Sequence, residues 1–245
     1  MNSNANIGRA CRMAAGLVAI ISFVVISSVP ALAGLSAPAS TFVGKAGDCG
    51  TGYPAGARLS QAQWILGIGL PDNGGANSNP GTPSDNPNKT DNHYGLLLSK
   101  DGPDADCSAA GANMVGLGTI TVDSGTTLGF DYRNGLHCGA GAPRFNVVAK
   151  LGSDTTFHFV GGCSNAVSTP APQDPDHWSR VRFNLTDGSQ SFPVVPVGAK
   201  ILSISIVFDE GTAYPGSGLA IIDNIFIDGK TLTNQNKVII EDLPE

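Results

Sequence analysis

Residues 143–160, PRFNVVAKLGSDTTFHFV, decide how this chain folds. Two runs rich in β-branched and aromatic residues, 143–150 and 155–160, flank Leu151-Gly152-Ser153-Asp154. A glycine-bearing turn between two such runs reads as an antiparallel hairpin. Side chains alternate across a strand, so Phe145 and Val147 share one face of the first arm while Arg144 and Asn146 share the other. On the second arm the same alternation sets Phe157 and Phe159 against His158, and the aromatic pair is expected inside. Counting outward from Leu151, Cys138 and Cys163 lie 13 and 12 residues away on opposite arms. They are expected to meet across the open end of the hairpin, a closure that stabilises a fold by roughly 3–4 kcal/mol in the chain-entropy model.

The pattern repeats in both directions. Short apolar or alternating runs at 62–69, 94–99, 113–122, 126–133, 178–185, 200–208, 219–227 and 237–240 are separated by Gly, Asn, Asp, Ser and Pro. No run holds a 3.6-residue period. Residues 126–133 place Leu128, Phe130 and Tyr132 on one face and Gly129, Asp131 and Arg133 on the other; 201–207 set Leu202, Ile204 and Ile206 against Ile201, Ser203 and Ser205. Strands with one apolar face must stack to bury it, so the expected fold is all-β, a two-sheet antiparallel β-sandwich. Residues 71–92, built almost wholly from Asn, Pro, Gly, Asp, Ser and Thr, cannot form core and are expected to be a long flexible loop.

The N-terminus reads as an export signal. Arg9 and Arg12 precede a nearly continuous apolar run from 13 to 29, and Ala31-Leu32-Ala33 offers the small residues a signal peptidase needs. Residues 1–33 are therefore expected to be a cleaved signal peptide and 34–245 a single domain of the extracellular space or periplasm. In that oxidising compartment an even set of thiols pairs. Cys49 and Cys107 are then expected to form the second disulfide. A zinc site from His137, Cys138, His158 and Cys163 lacks both the spacing and the reducing compartment. Losing Arg9 and Arg12 leaves 12 basic against 20 acidic residues, a net charge of −8, which argues against nucleic acid or an anionic membrane as partner.

Catalytic signatures are missing. Beyond the signal the only glutamates are Glu210, Glu241 and Glu245, a poor basis for a glycosidase carboxylate pair. There is no G-x-S-x-G elbow and no H-E-x-x-H, and His93, His137, His158 and His177 are scattered. The expectation is a protein that is not an enzyme. Calcium takes six to eight oxygens, often from loop aspartates, so Asp101, Asp104 and Asp106 are candidate ligands, with Asp223 and the Asp209-Glu210 pair as further candidates. No other cofactor is implied.

Arginine placement carries the binding reading. Arg133, Arg144, Arg180 and Arg182 fall within 50 residues on strands expected to be neighbours, all on outward faces. Together with Asp131, Asn146 and His158 they are expected to form one polar patch able to hydrogen-bond sugar hydroxyls or grip a carboxylate.

Residues 204–211 (ISIVFDEG) and 218–229 (GLAIIDNIFIDG), with TTLGFDYR at 126–133 and WSRVRFNL at 178–185, resemble strands of the jelly-roll, galactose-binding-like sandwiches found among carbohydrate-binding modules. The segment CGAGAPRFNVV at 138–148 resembles small secreted bacterial proteins. The first resemblance implies a jelly roll, a glycan ligand and, at Asp223, a structural or calcium-binding aspartate. An exposed aromatic platform of the kind such modules use is not legible, because several of the two tryptophans and four tyrosines fall on expected core faces. The functional expectation is a secreted, non-catalytic binding module for a glycan or similar extracellular ligand. The alternatives are a surface or matrix protein acting through protein contacts and an extracellular hydrolase without a recognisable motif.

Overall fold

In a computed structural model the described residues are 34–43, 60–71, 93–100, 108–210, 218–236 and 238–239. The signal segment, Cys49 and Cys107, the loop at 72–92 and Asp101, Asp104 and Asp106 lie outside them. Fourteen strands are described: β1 Ala39–Val43, β2 Ser60–Leu66, β3 Tyr94–Lys100, β4 Ser108–Asn113, β5 Thr127–Arg133, β6 Arg144–Leu151, β7 Asp154–Gly161, β8 Thr169–Pro170, β9 Trp178–Asn184, β10 Ser191–Phe192, β11 Lys200–Phe208, β12 Gly218–Ile227, β13 Lys230–Leu232 and β14 Val238–Ile239. They form an all-β sandwich of two antiparallel sheets, compatible with a jelly roll. One sheet runs β1-β4-β11-β6-β7-β10; the other runs β14-β13-β12-β5-β9-β8, with β3 and then β2 paired beside β12.

The hairpin at 143–160 forms as read, Leu151 pairing with Asp154 around Gly152, whose φ of 62° a side chain would strain. Cys138 and Cys163 are bonded across its open end, their Cα atoms 5.4 Å apart. Between the sheets Phe130 of β5, Phe183 of β9 and Phe145 of β6 meet with ring centroids 5.8–6.4 Å apart. All three are completely buried, so aromatic contact clamps one sheet to the other.

Two local expectations are corrected. Of the expected strand 113–122 only Asn113 is in a strand; β4 ends there and lies mainly in the preceding residues 108–112, between the expected runs. Its sequence, SAAGAN, has little β-propensity, yet it fits between β1 and β11 because its residues are small. A Cβ on Gly111 would collide with the Ile206 carbonyl. In β11 an irregularity between Ile201 and Ser203 inserts Leu202 as an extra residue, a bulge that shifts the alternation. Ile201 therefore points into the core, and Leu202, expected beside Ile204 and Ile206, is 52% exposed.

Candidate functional site: an aromatic sheet face

The seven residues expected to form one outward patch do not come together. Asp131, Arg133, Arg180 and Arg182 stand on the eight-stranded sheet, whereas Arg144, Asn146 and His158 stand on the six-stranded one. The sequence read these strands as neighbours. Stacking places their outer faces on opposite sides of the sandwich.

On the eight-stranded sheet the outer face is roofed. Val181 and Phe183 belong to the main core, so Trp178, Arg180 and Arg182, of opposite parity, face outward. Trp178 is nevertheless completely buried, packed with Leu70, Ala171 and Ile221 in a second apolar cluster. Beneath this cover Asp131, also fully buried, accepts from Arg180 Nε at 2.9 Å and Arg180 Nη2 at 3.1 Å, and from Asn224 Nδ2 at 2.8 Å. Arg182 lies 3.6 Å from the same carboxylate, its guanidinium over the Phe226 ring. Asp131 and Arg180 were expected in solvent; they form a buried, structural ion pair instead.

Asn224 reaches this carboxylate because β12 bulges between Asp223 and Phe226, and Asn224 takes a φ of 44°. At the same bulge Asp223 accepts from the Leu70 amide at 2.8 Å and the Asn224 amide at 2.6 Å. The Asp223 carboxylate thus pins the segment leaving β2 to the sheet. Among the described residues no three His, Cys, Asp or Glu side chains converge as metal ligands do. Asp209, the other acidic candidate, is clasped by Arg144 through two bonds of 2.5 and 2.6 Å, and its carbonyl accepts from buried Lys100 at 2.6 Å. Beside it His137 packs edge-on to Phe208, with both ring nitrogens buried and unbonded. Burial, aided by the Lys100 charge and opposed by Glu210, holds the His137 pKa below its ordinary value.

The six-stranded sheet presents the contrasting surface. Register places Val147 opposite His158 and Asn146 opposite Phe159. Residues directly opposite share a face, so His158 turns inward with Val147 and is 1% exposed, reversing the expected phase of the second hairpin arm. Its burial is satisfied. The Pro193 carbonyl can only accept, so Nδ1 donates to it at 2.7 Å, and Nε2 pairs with the Thr156 hydroxyl at 2.7 Å. Hydrophobicity alone puts this arm in the wrong phase; counting residues outward from the turn pairs Val147 with His158 and gives the right one.

Phe157 and Phe159 consequently face solvent, 46% and 44% exposed, with ring centroids 5.0 Å apart in an edge-to-face pair. Phe192 of the edge strand β10 pairs with Phe159 and is 45% exposed. One outward row crosses five strands: Asn113, Ser205, Asn146, Phe159 and Phe192. The next row is Ser203, Val148 and Phe157, and the one beyond it holds Lys200, Lys150 and Thr155. Arg144 borders the rings, its guanidinium 4.9 Å from the Phe159 centroid. Here is the aromatic platform that sequence reading missed.

Open clefts among the described residues lie elsewhere. One of about 430 Å³ is lined by Arg133, Asn134, Gly135, Leu136, Asp176 and His177; another of about 480 Å³ is lined by Trp64, Tyr94, Asn234, Gln235 and Asn236. Comparison of the chain with protein-family models, curated proteins and solved structures finds no match.

Proposed function

We propose that this protein is a secreted, non-catalytic binding module of the carbohydrate-binding kind, holding a glycan on the outer face of its six-stranded sheet. The observation that carries this reading is the exposure of Phe157, Phe159 and Phe192 together on one open face. The fold does not require them there, because the core is already filled from the opposite face of the same strands. An exposed apolar group rimmed by polar residues is the usual mark of a binding surface. A pyranose offers an apolar C–H face to a ring and hydroxyls to its surroundings. Asn146 stands directly opposite Phe159, and Ser203, Ser205 and Asn113 continue the same rows across the sheet as hydrogen-bonding groups. Export through residues 1–33 fits a ligand outside the cell, and N-terminal sequencing of the exported protein should begin at Gly34.

Protein contact is the second reading, favoured by Leu202, an exposed aliphatic side chain adjoining Ser203 on the same sheet. A glycan array separates the two. Binding that disappears in a Phe157→Ala/Phe159→Ala variant supports the glycan reading, and a folded protein that retains no glycan of any class removes it.

A further inference from the structure

We propose that the glycan is an acidic polysaccharide, with carboxylates seated between Lys150 and Lys200. This rests on the reading of the phenylalanine face as a glycan surface and names the ligand class for that face. Lys200 lies directly opposite Lys150 in the β11–β6 register, and both are exposed. Side chains so placed have Cβ atoms about 4.5–5.5 Å apart, where like charges destabilise a sheet. Among the described residues neither lysine forms an ion pair. The fold gains nothing from the juxtaposition. An anion lying between the two ammonium groups turns that repulsion into attraction.

The geometry suits a polymer lying along the strands. Alternate residues on a strand are about 6.6 Å apart, so the lysine row is one such step from the Phe157 row and two from the Phe159 row. Such a chain meets both rings on β7, and the ammonium pair, on β6 and β11, lies within about 13 Å along the strands and about 5–10 Å to one side. Its sugar faces lie on the rings while a carboxylate reaches the lysines. Arg144 adds no free charge, being clasped by Asp209. The net charge of −8 that remains without residues 1–33 opposes a polyanion only at long range. Physiological salt screens charges beyond about 8 Å, leaving the local lysine row to decide.

The test uses polygalacturonate and alginate, each paired with its ester, in which the same backbone has lost its charge. Binding is followed by affinity electrophoresis of the wild-type protein and of a Lys150→Gln/Lys200→Gln variant. Exposed ion pairs each contribute about 1.5- to 5-fold, so the double variant should bind the acids about 2- to 25-fold more weakly and the esters unchanged. Raising the salt should erase the wild-type preference. Equal binding of acid and ester, abolished by Phe157→Ala/Phe159→Ala, would overturn the acidic ligand and leave the glycan face standing. Binding to neither acid nor ester, with neutral glycans also unbound, would overturn both.

Discussion

Replacing Asp131 by alanine probes the roofed face most sharply. The carboxylate is fully buried and accepts two bonds from Arg180 and one from Asn224. Removing it takes the Asp131 counter-charge from the Arg180 guanidinium, whose side chain is 8% exposed. Breaking one partner out of a buried pair costs about 3–5 kcal/mol, because the stranded charge keeps its desolvation penalty. For a domain of this size that corresponds to a fall of about 6–20 °C in melting temperature. Differential scanning calorimetry with parallel urea titration measures it. The companion variant Asp131→Leu/Arg180→Met, which removes both charges at similar volume, should be more stable than Asp131→Ala alone. A loss below about 1 kcal/mol for the single variant would mean that water reaches the pair and that the roof does not seal it.

Three further outcomes follow from local geometry. Gly161 has φ of 99°, and a Cβ there would lie 2.8 Å from the Phe183 ring; Gly161→Ala should cost about 2–4 kcal/mol by urea titration, and a neutral result would contradict this backbone conformation and its packing on Phe183. Burial depresses the His137 pKa, so the unfolded chain binds the proton more readily. The His137 contribution to stability is therefore complete above pH 6.5 and is lost as pH falls through the lower folded value; His137→Phe should flatten that part of the pH–stability curve, and an unchanged slope would remove the argument. Asp223→Ala strands two amides and should destabilise by about 2–4 kcal/mol, equally with EDTA and with millimolar calcium. A calcium-dependent midpoint in the wild type that Asp223→Ala abolishes would instead make this aspartate an ion ligand.

The hairpin shows what was legible and what was not. Its turn and its disulfide followed from composition and counting, because Gly152 marks the reversal and the cysteines sit almost symmetrically about it. Its second face was misread because hydrophobicity ranks Phe157 and Phe159 above His158, whereas pairing register binds His158 to the buried side of Val147. Register is a two-strand property, invisible to a single-strand pattern. The Leu202 bulge and the small-residue strand β4 escaped for a related reason: each is specified by what its neighbours leave room for. Strand order escaped altogether. The arginines lie close in sequence, but alternation cannot say which of two sheets a strand joins, and the expected patch was divided between opposite surfaces. The proposed binding face was missed by the same error, since the aromatic pair expected in the core is the pair that stands exposed.

The central claim, that Phe157 and Phe159 present the ligand-binding surface, is tested most directly by depletion isotherms on a glycan retained by the wild-type protein. The measurement compares that protein with the Phe157→Ala/Phe159→Ala variant. Both side chains are nearly half exposed, so melting temperature should barely move. A binding hot spot costs about 2 kcal/mol or more on truncation; with this pair as the hot spot the account predicts at least a tenfold loss of affinity. Affinity within twofold of wild type, at an unchanged melting temperature, would contradict it.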